Sequence, residues 1–223
     1  MKNYIFLVTI SVMALLCSET LAQSTWNPSD KTSGVTLSNG NLTAAAVLGG
    51  GEEGVRGTLS HSSGKYYFEV TDTLDTFGHS YIGVANSSSN LSSVPFGYGD
   101  SNGAGYYAAN GVLYANTGST SIAGSFYTTG NVISIAVDVT NHLIYWAKNG
   151  TWQNSANPGL GTGGADYITT SPVFPAYSLS ALSSTVTLNT GATAFAYSIP
   201  SGFSAWGGAA TSSSFIFTPT VIP

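Results

Sequence analysis

The sequence predicts an all-β domain, a sandwich or a barrel, preceded by an export signal. Three observations carry that expectation. Helix signals are nearly absent after the N-terminal segment. Gly, Ser, Thr and Asn are abundant, and apolar residues recur at every second position between clusters of them. The chain has 223 residues, 43% hydrophobic and 7% charged, which suits one large domain with a proper core rather than a charge-rich disordered chain.

Residues 1–22 read as a signal peptide. Lys2 supplies the positive region, an apolar run follows from Tyr4 to Leu16, and Thr20 and Ala22 are the small residues before a cut after Ala22. The run is shorter than the roughly 20 residues of a membrane span, so no span is expected once the signal is removed. Bulky Leu16 before Cys17 argues against lipidation. A cut after Ala22 removes the single cysteine, leaving packing and hydrogen bonds to hold the mature chain. A secreted or periplasmic location follows. The formal net charge is −5, and Lys31, Arg56, Lys65 and Lys148 are scattered, so neither nucleic acid nor an anionic membrane surface is an expected partner.

Strands are expected over 35–37, 41–47, 66–71, 81–85, 105–109, 112–115, 132–140, 143–148, 173–177, 185–189 and 194–198. No 20–50-residue repeat points to a propeller or solenoid. Within "LIYWAKNGTWQN" (143–154), Asn149-Gly150 is the preferred pair for a two-residue type I′ turn, placing Lys148 opposite Thr151, Ala147 opposite Trp152 and Trp146 opposite Gln153. A second two-residue turn at Asn141-His142 would place Val139 opposite Ile144 and Val137 opposite Trp146. Opposed residues share a face. One face then carries Ile133, Ile135, Val137, Val139, Ile144 and Trp146, and is core. The other carries Ser134, Ala136, Asp138, Tyr145, Ala147 and Trp152, and Trp152 there serves either as cover or as a ligand contact.

With these strands in place the sequence resembles the SPRY domain, the core of B30.2, in the form found in bacterial secreted and phage-associated proteins. "SGKYYFEV" (63–70), "YIGVA" (81–85), "GYGDSNGAGYYAANG" (97–111), "TGNVISIAVDVTNHLIYWAKNGTW" (129–152), "PVFPAYSL" (172–179) and "VTLNTGATAFAYSIPSGF" (186–203) carry it, with "GVRGTLSHSSGK" (54–65) upstream. The resemblance implies a two-sheet antiparallel β-sandwich of concanavalin A-like architecture over 23–206. It also implies a module usually without enzymatic activity, which binds a protein or a cell-surface glycan through loops at one edge. Protein partners rank ahead of glycans on that ground alone. Residues 207–223 have no counterpart and read as a Gly/Ser-rich linker ending in an apolar segment with Phe215 and Phe217. That segment folds back as an edge strand or, in a structural subunit, adds a strand to a neighbouring copy.

Enzyme chemistry finds little support. Glycoside hydrolysis, the least favoured reading, needs two carboxylates facing one sugar. Asp72 and Asp75 of "EVTDTLD" (69–75) are expected at a turn, without the even spacing that would put them on one face with Glu69. Glu52 and Glu53 are adjacent and would point in opposite directions. His61, His79 and His142 lack metal-ligand spacing, and "GDSNGAG" (99–105) lacks most acidic ligands of a calcium loop, so no metal or cofactor is expected. The chain is rich in aromatics, with 13 Tyr, 10 Phe and 4 Trp. Binding candidates are Trp152, Tyr145 and Asp138 on the mixed face, and Tyr98, Asp100, Tyr107 and Tyr127 in or near loops.

Overall fold

Alternation along the chain becomes sixteen strands in the computed structural model, which describes residues 23–47, 51–75, 78–92, 95–98, 101–115, 118–120, 125–167, 171–179 and 183–207. The expected export signal, Asp100, and the tail with Phe215 and Phe217 lie outside the described residues. In chain order the strands are β1 (Trp26–Lys31), β2 (Val35–Ser38), β3 (Thr43–Val47), β4 (Glu53–Gly57), β5 (Lys65–Asp75), β6 (Ser80–Asn86), β7 (Gly103–Tyr107) and β8 (Leu113–Ala115). They continue with β9 (Gly118–Thr120), β10 (Val132–Asp138), β11 (Leu143–Lys148), β12 (Thr151–Trp152), β13 (Ala165–Asp166), β14 (Val173–Leu179), β15 (Ser183–Asn189) and β16 (Ser204–Ala205).

Two sheets pack face to face, as the resemblance implied. The seven-stranded sheet runs β1-β4-β14-β6-β7-β8-β9, and the nine-stranded sheet runs β12-β11-β10-β5-β15-β3-β2, with β13 beside β11 and β16 beside β5. All pairings are antiparallel except β16 on β5. Between the sheets lies one continuous core containing Phe68, Val70, Ile82, Val84, Ile133, Ile135, Ile144, Trp146, Tyr177 and Leu188. The Trp146 indole donates across the gap to the Ile82 carbonyl at 3.3 Å.

The Asn149-Gly150 turn forms with both residues at positive φ (47° and 77°), and Lys148 faces Thr151 as expected. Gln153 does not continue the ladder; it begins a short 3-10 turn. The other turn differs. Asp138 pairs with Leu143, Val137 with Ile144 and Ile135 with Trp146, so residues 139–142 form a four-residue connection instead of a two-residue one. Asp138 causes this, because its carboxylate accepts the backbone amide and side-chain amide of Asn141 at 3.0 and 2.8 Å. The pairing slips by two positions, an even number, so each side chain keeps its expected face.

Two strand expectations are corrected by distant partners. Residues 194–198 form no strand, because the Glu69 carboxylate captures the amides of Ala196 and Tyr197 at 2.8 and 2.9 Å. The segment therefore lies across the outside of the larger sheet. Asp72 and Asp75 lie in β5, not at a turn. Leu74 pairs with Thr185 and Asp72 with Val186, leaving Thr73 as a bulge that reverses the alternation. Asp72 turns into the interior at 0% exposure and Leu74 is 46% exposed. Asp75 again points inward, where it accepts the hydroxyl of buried Ser80 at 2.9 Å.

The sequence reading also missed β1, β4 and the short β9, β13 and β16; of these, β1 and β4 are joined by charge. Arg56 in β4 makes a bidentate pair with Asp30 of β1 at 2.7 and 2.8 Å. Its Nη1 also donates to the carbonyls of Asn86 and Ser89. The described ends of the chain meet: Thr190 Oγ1 donates to Ser24 O at 2.9 Å, and the Trp206 indole donates to Leu59 O at 3.0 Å.

Candidate functional site

The outward side chains of β6, β7 and β8 build a tyrosine face on the smaller sheet. Ile82, Val84, Ala104, Tyr106 and Leu113 take the inner positions, so period two sends Tyr81, Tyr107 and Tyr114 outward. Tyr81 pairs directly with Tyr107, and their rings stack at 4.4 Å with 16° between planes. Tyr114 lies 5.8 Å from Tyr81 and 6.0 Å from Tyr107. Tyr98, from the connection between β6 and β7, meets Tyr114 edge-on at 5.1 Å and is 51% exposed.

Glycine makes room for that connection. A Cβ at Gly103 or Gly105 would come within 2.6 or 2.9 Å of Phe96 atoms, so only a bare backbone lets Phe96 lie flat on the sheet. Arg56 holds the other end of the connection through Asn86 and Ser89. Tyr98 is thus presented from a loop anchored at both ends. His79 is hydrogen-bonded to the Tyr107 hydroxyl. Tyr81 is itself buried, at 5% exposure, as the base on which Tyr107 and Tyr114 pack; burial pushes its phenol up, and Tyr107 and Tyr114 add to this. Glu52, beside it, is pushed up to about 7 by burial and by Glu53. Glu53 faces the other way and accepts the Gly34 amide at 2.9 Å.

Toward the end of the sandwich where β5 passes to β6 lies a shallow cavity of about 240 Å³ lined by Asp75, Gly78, Ala108, Ala109, Phe126, Tyr127 and Thr128. Phe126 is 61% exposed, and Lys148 Nζ sits 5.1 Å over its ring. Neutral phenols, an exposed phenylalanine and short polar loops together offer apolar contact with hydrogen-bonding edges.

The sequence candidates divide among three places. Tyr98 and Tyr107 join the tyrosine face. Tyr127 lines the cavity beside Phe126, but its side chain is fully buried and its hydroxyl donates to the Ser80 and Tyr106 carbonyls, each at 3.0 Å, so its ring belongs to the core. Asp138, Tyr145 and Trp152 share the outer face of the larger sheet, as the alternation required, yet two of them are closed off. Burial alone would raise Asp138, but donors from Asn141 and Lys65 hold its carboxyl below the ordinary value. Tyr145 is buried against Gly164 and Phe203. Trp152 remains half-buried at the edge of this face. Sequence reasoning missed Tyr81, Tyr114 and Phe126. The alternation in "YIGVA" and "VLYA" marked the first two as one-sided, but only the pairing of three strands shows that they meet.

Two carboxylates of β5 point away from the tyrosine face. Glu69 accepts the Tyr67 hydroxyl at 2.7 Å besides two backbone amides, and Asp72 is sealed in the interior. Among the described residues, no three His, Cys, Asp or Glu side chains gather to hold a metal ion. Among them, too, no helix is long and apolar enough to cross a membrane.

Comparison with known proteins fits this geometry. Residues 65–193 match the family model of the SPRY domain. The chain is 31% identical over 140 residues to Ran-binding protein 9 of Danio rerio, covering 59% of this chain and 23% of that protein. The human Ran-binding protein 9 gives 31% over 140 residues and 19% of its length. The chain thus spans about a fifth to a quarter of these relatives. These are animal proteins, and they give no support to a bacterial secreted or phage-associated subtype. Among solved structures, the SPRY domain of human HERC1 superposes with a TM-score of 0.61 at 19% identity, covering 73% of this chain and 96% of that one.

Proposed function

The chain belongs to the SPRY domain family, and from that premise we propose that it is a non-catalytic, exported module that binds a protein partner through the tyrosine face of its smaller sheet. SPRY domains generally serve protein recognition, and the relatives' own name attributes Ran binding to them. The observation that carries the reading is the cluster of Tyr81, Tyr98, Tyr107 and Tyr114, stacked on one another and open to solvent at Tyr98. Tyrosine supplies broad contact area at low entropic cost, and its hydroxyl orients a partner. The apolar run before Ala22 supports export.

The test begins with a partner identified by affinity capture, then purified and titrated directly. Tyr98→Ala and Tyr114→Ala should each weaken its binding about tenfold or more, the loss typical of an aromatic anchor. Both variants should keep the wild-type melting temperature. Unchanged affinity in both would refute the assignment.

A further inference from the structure

We propose that a second site, a cleft on the outer face of the larger sheet, binds a neutral sugar ring. The cleft measures about 290 Å³ and lies between Trp152 and Tyr197, over a floor that includes Tyr67 and Ser134. That is near the lower bound of small-molecule pockets, the size for one ring and its substituents.

Both walls are positioned by contacts outside the cleft. The Asn149-Gly150 turn folds β12 back so that Trp152 stands opposite Ala147. Glu69 holds the Tyr197 amide at 2.9 Å. The Tyr197 ring then packs on the bare backbone of Gly150, where a Cβ would come within 2.5 Å of it. Fixed walls bind without the entropic cost of ordering them.

The floor is polar. Ser134 is 1% exposed, and its hydroxyl leans on the Tyr67 phenol without a regular hydrogen bond. That phenol donates to Glu69 at 2.7 Å. The serine oxygen keeps acceptor capacity for a donor from the cleft above it.

Charge and shape narrow the occupant. No charged side chain lines the cleft, and Glu69 beneath it already serves three donors. An ionic ligand would therefore lose its hydration without compensation. A pyranose ring has an apolar face for the indole and phenol rings. Its hydroxyls can meet Ser134, the exposed Ser198 and the Tyr197 phenol.

The test uses the chain from Gln23 to Pro223 with glucose, galactose, mannose and N-acetylglucosamine at millimolar concentration. Binding is followed by saturation-transfer NMR and tryptophan fluorescence. At least one sugar should bind saturably. Trp152→Ala should abolish that binding, and Ser134→Ala and Tyr197→Phe should each weaken it about twofold to tenfold, the effect of one hydrogen bond. The last two variants remove single hydroxyls and should keep the wild-type melting temperature. Tyr98→Ala should leave sugar binding unchanged, which separates this site from the protein-binding face. The proposal is overturned if no sugar binds saturably, or if binding is indifferent to all three cleft variants. A cleft occupied instead by a glutamine- or asparagine-bearing peptide that sugars do not displace also overturns it.

Discussion

Glu69→Gln is expected to loosen the cover on the larger sheet without disturbing the core. In the native protein Oε1 accepts the Tyr67 hydroxyl at 2.7 Å and the Tyr197 amide at 2.9 Å, while Oε2 accepts the Ala196 amide at 2.8 Å. A glutamine can keep its oxygen at only one of these places. The arrangement with fewer losses leaves the oxygen with Tyr67 and Tyr197 and turns the side-chain NH2 toward the Ala196 amide, donor against donor. Two charge-assisted bonds then become neutral ones, at a cost of about 1 kcal/mol each. The Ala196 amide loses its partner, though water reaches this exposed residue, adding about 1 kcal/mol. The total is about 3 kcal/mol, read as a lowered urea midpoint with an unchanged m-value. Hydrogen exchange gives the local reading: the amides of Ala196 and Tyr197 should exchange markedly faster, relative to the global stability, than those of β10. A stability change under about 0.5 kcal/mol, with protection of Tyr197 unaltered, would refute the view that this carboxylate fastens the segment.

Two further outcomes are expected. Burial, aided by Asp75, raises the Asp72 carboxyl from 3.8 to about 7. Between about pH 4 and 7 the folded state therefore keeps a proton that the unfolded chain releases, so stability falls as pH rises through that window and levels off above it. Discounted for screening, the loss is about 1–3 kcal/mol. Asp72→Asn should match the wild type near pH 4 and exceed it by that margin at pH 8 in urea melts; the same pH dependence in both proteins would refute the argument. Export is checked by N-terminal sequencing of protein recovered outside the cytoplasm, which should begin at Gln23. A retained Met1 would contradict it.

Much of the sandwich was legible because its rules are local. Alternation marked Ile133, Ile135, Val137, Ile144 and Trp146 as one buried face, and Asn149-Gly150 specified its own turn. The exact pairing of β10 with β11 was less legible, since Asp138 lengthened the turn by a side-chain bond that competes with the tightest geometry. β1 and β4 escaped because "WNPSDK" and "EGVRG" look like loops until Asp30 and Arg56 neutralise each other. The candidate site was legible only in fragments. Tyr98 and Tyr107 could be picked as loop-proximal aromatics, but their company with Tyr81 and Tyr114 could not.

By itself the sequence determined the all-β class, the core face of β10 and β11, and the SPRY resemblance, because each depends on residues near one another in the chain. Tertiary structure alone decided which aromatic side chains remain in reach of a partner. Glu69 and Tyr197 are 128 positions apart, and Arg56 and Asp30 26 apart. Such contacts arise only when sheets have stacked and registers have locked, and no local pattern encodes them. They bury Tyr145 and Asp138, spare Trp152, and gather four tyrosines on the opposite side of the molecule.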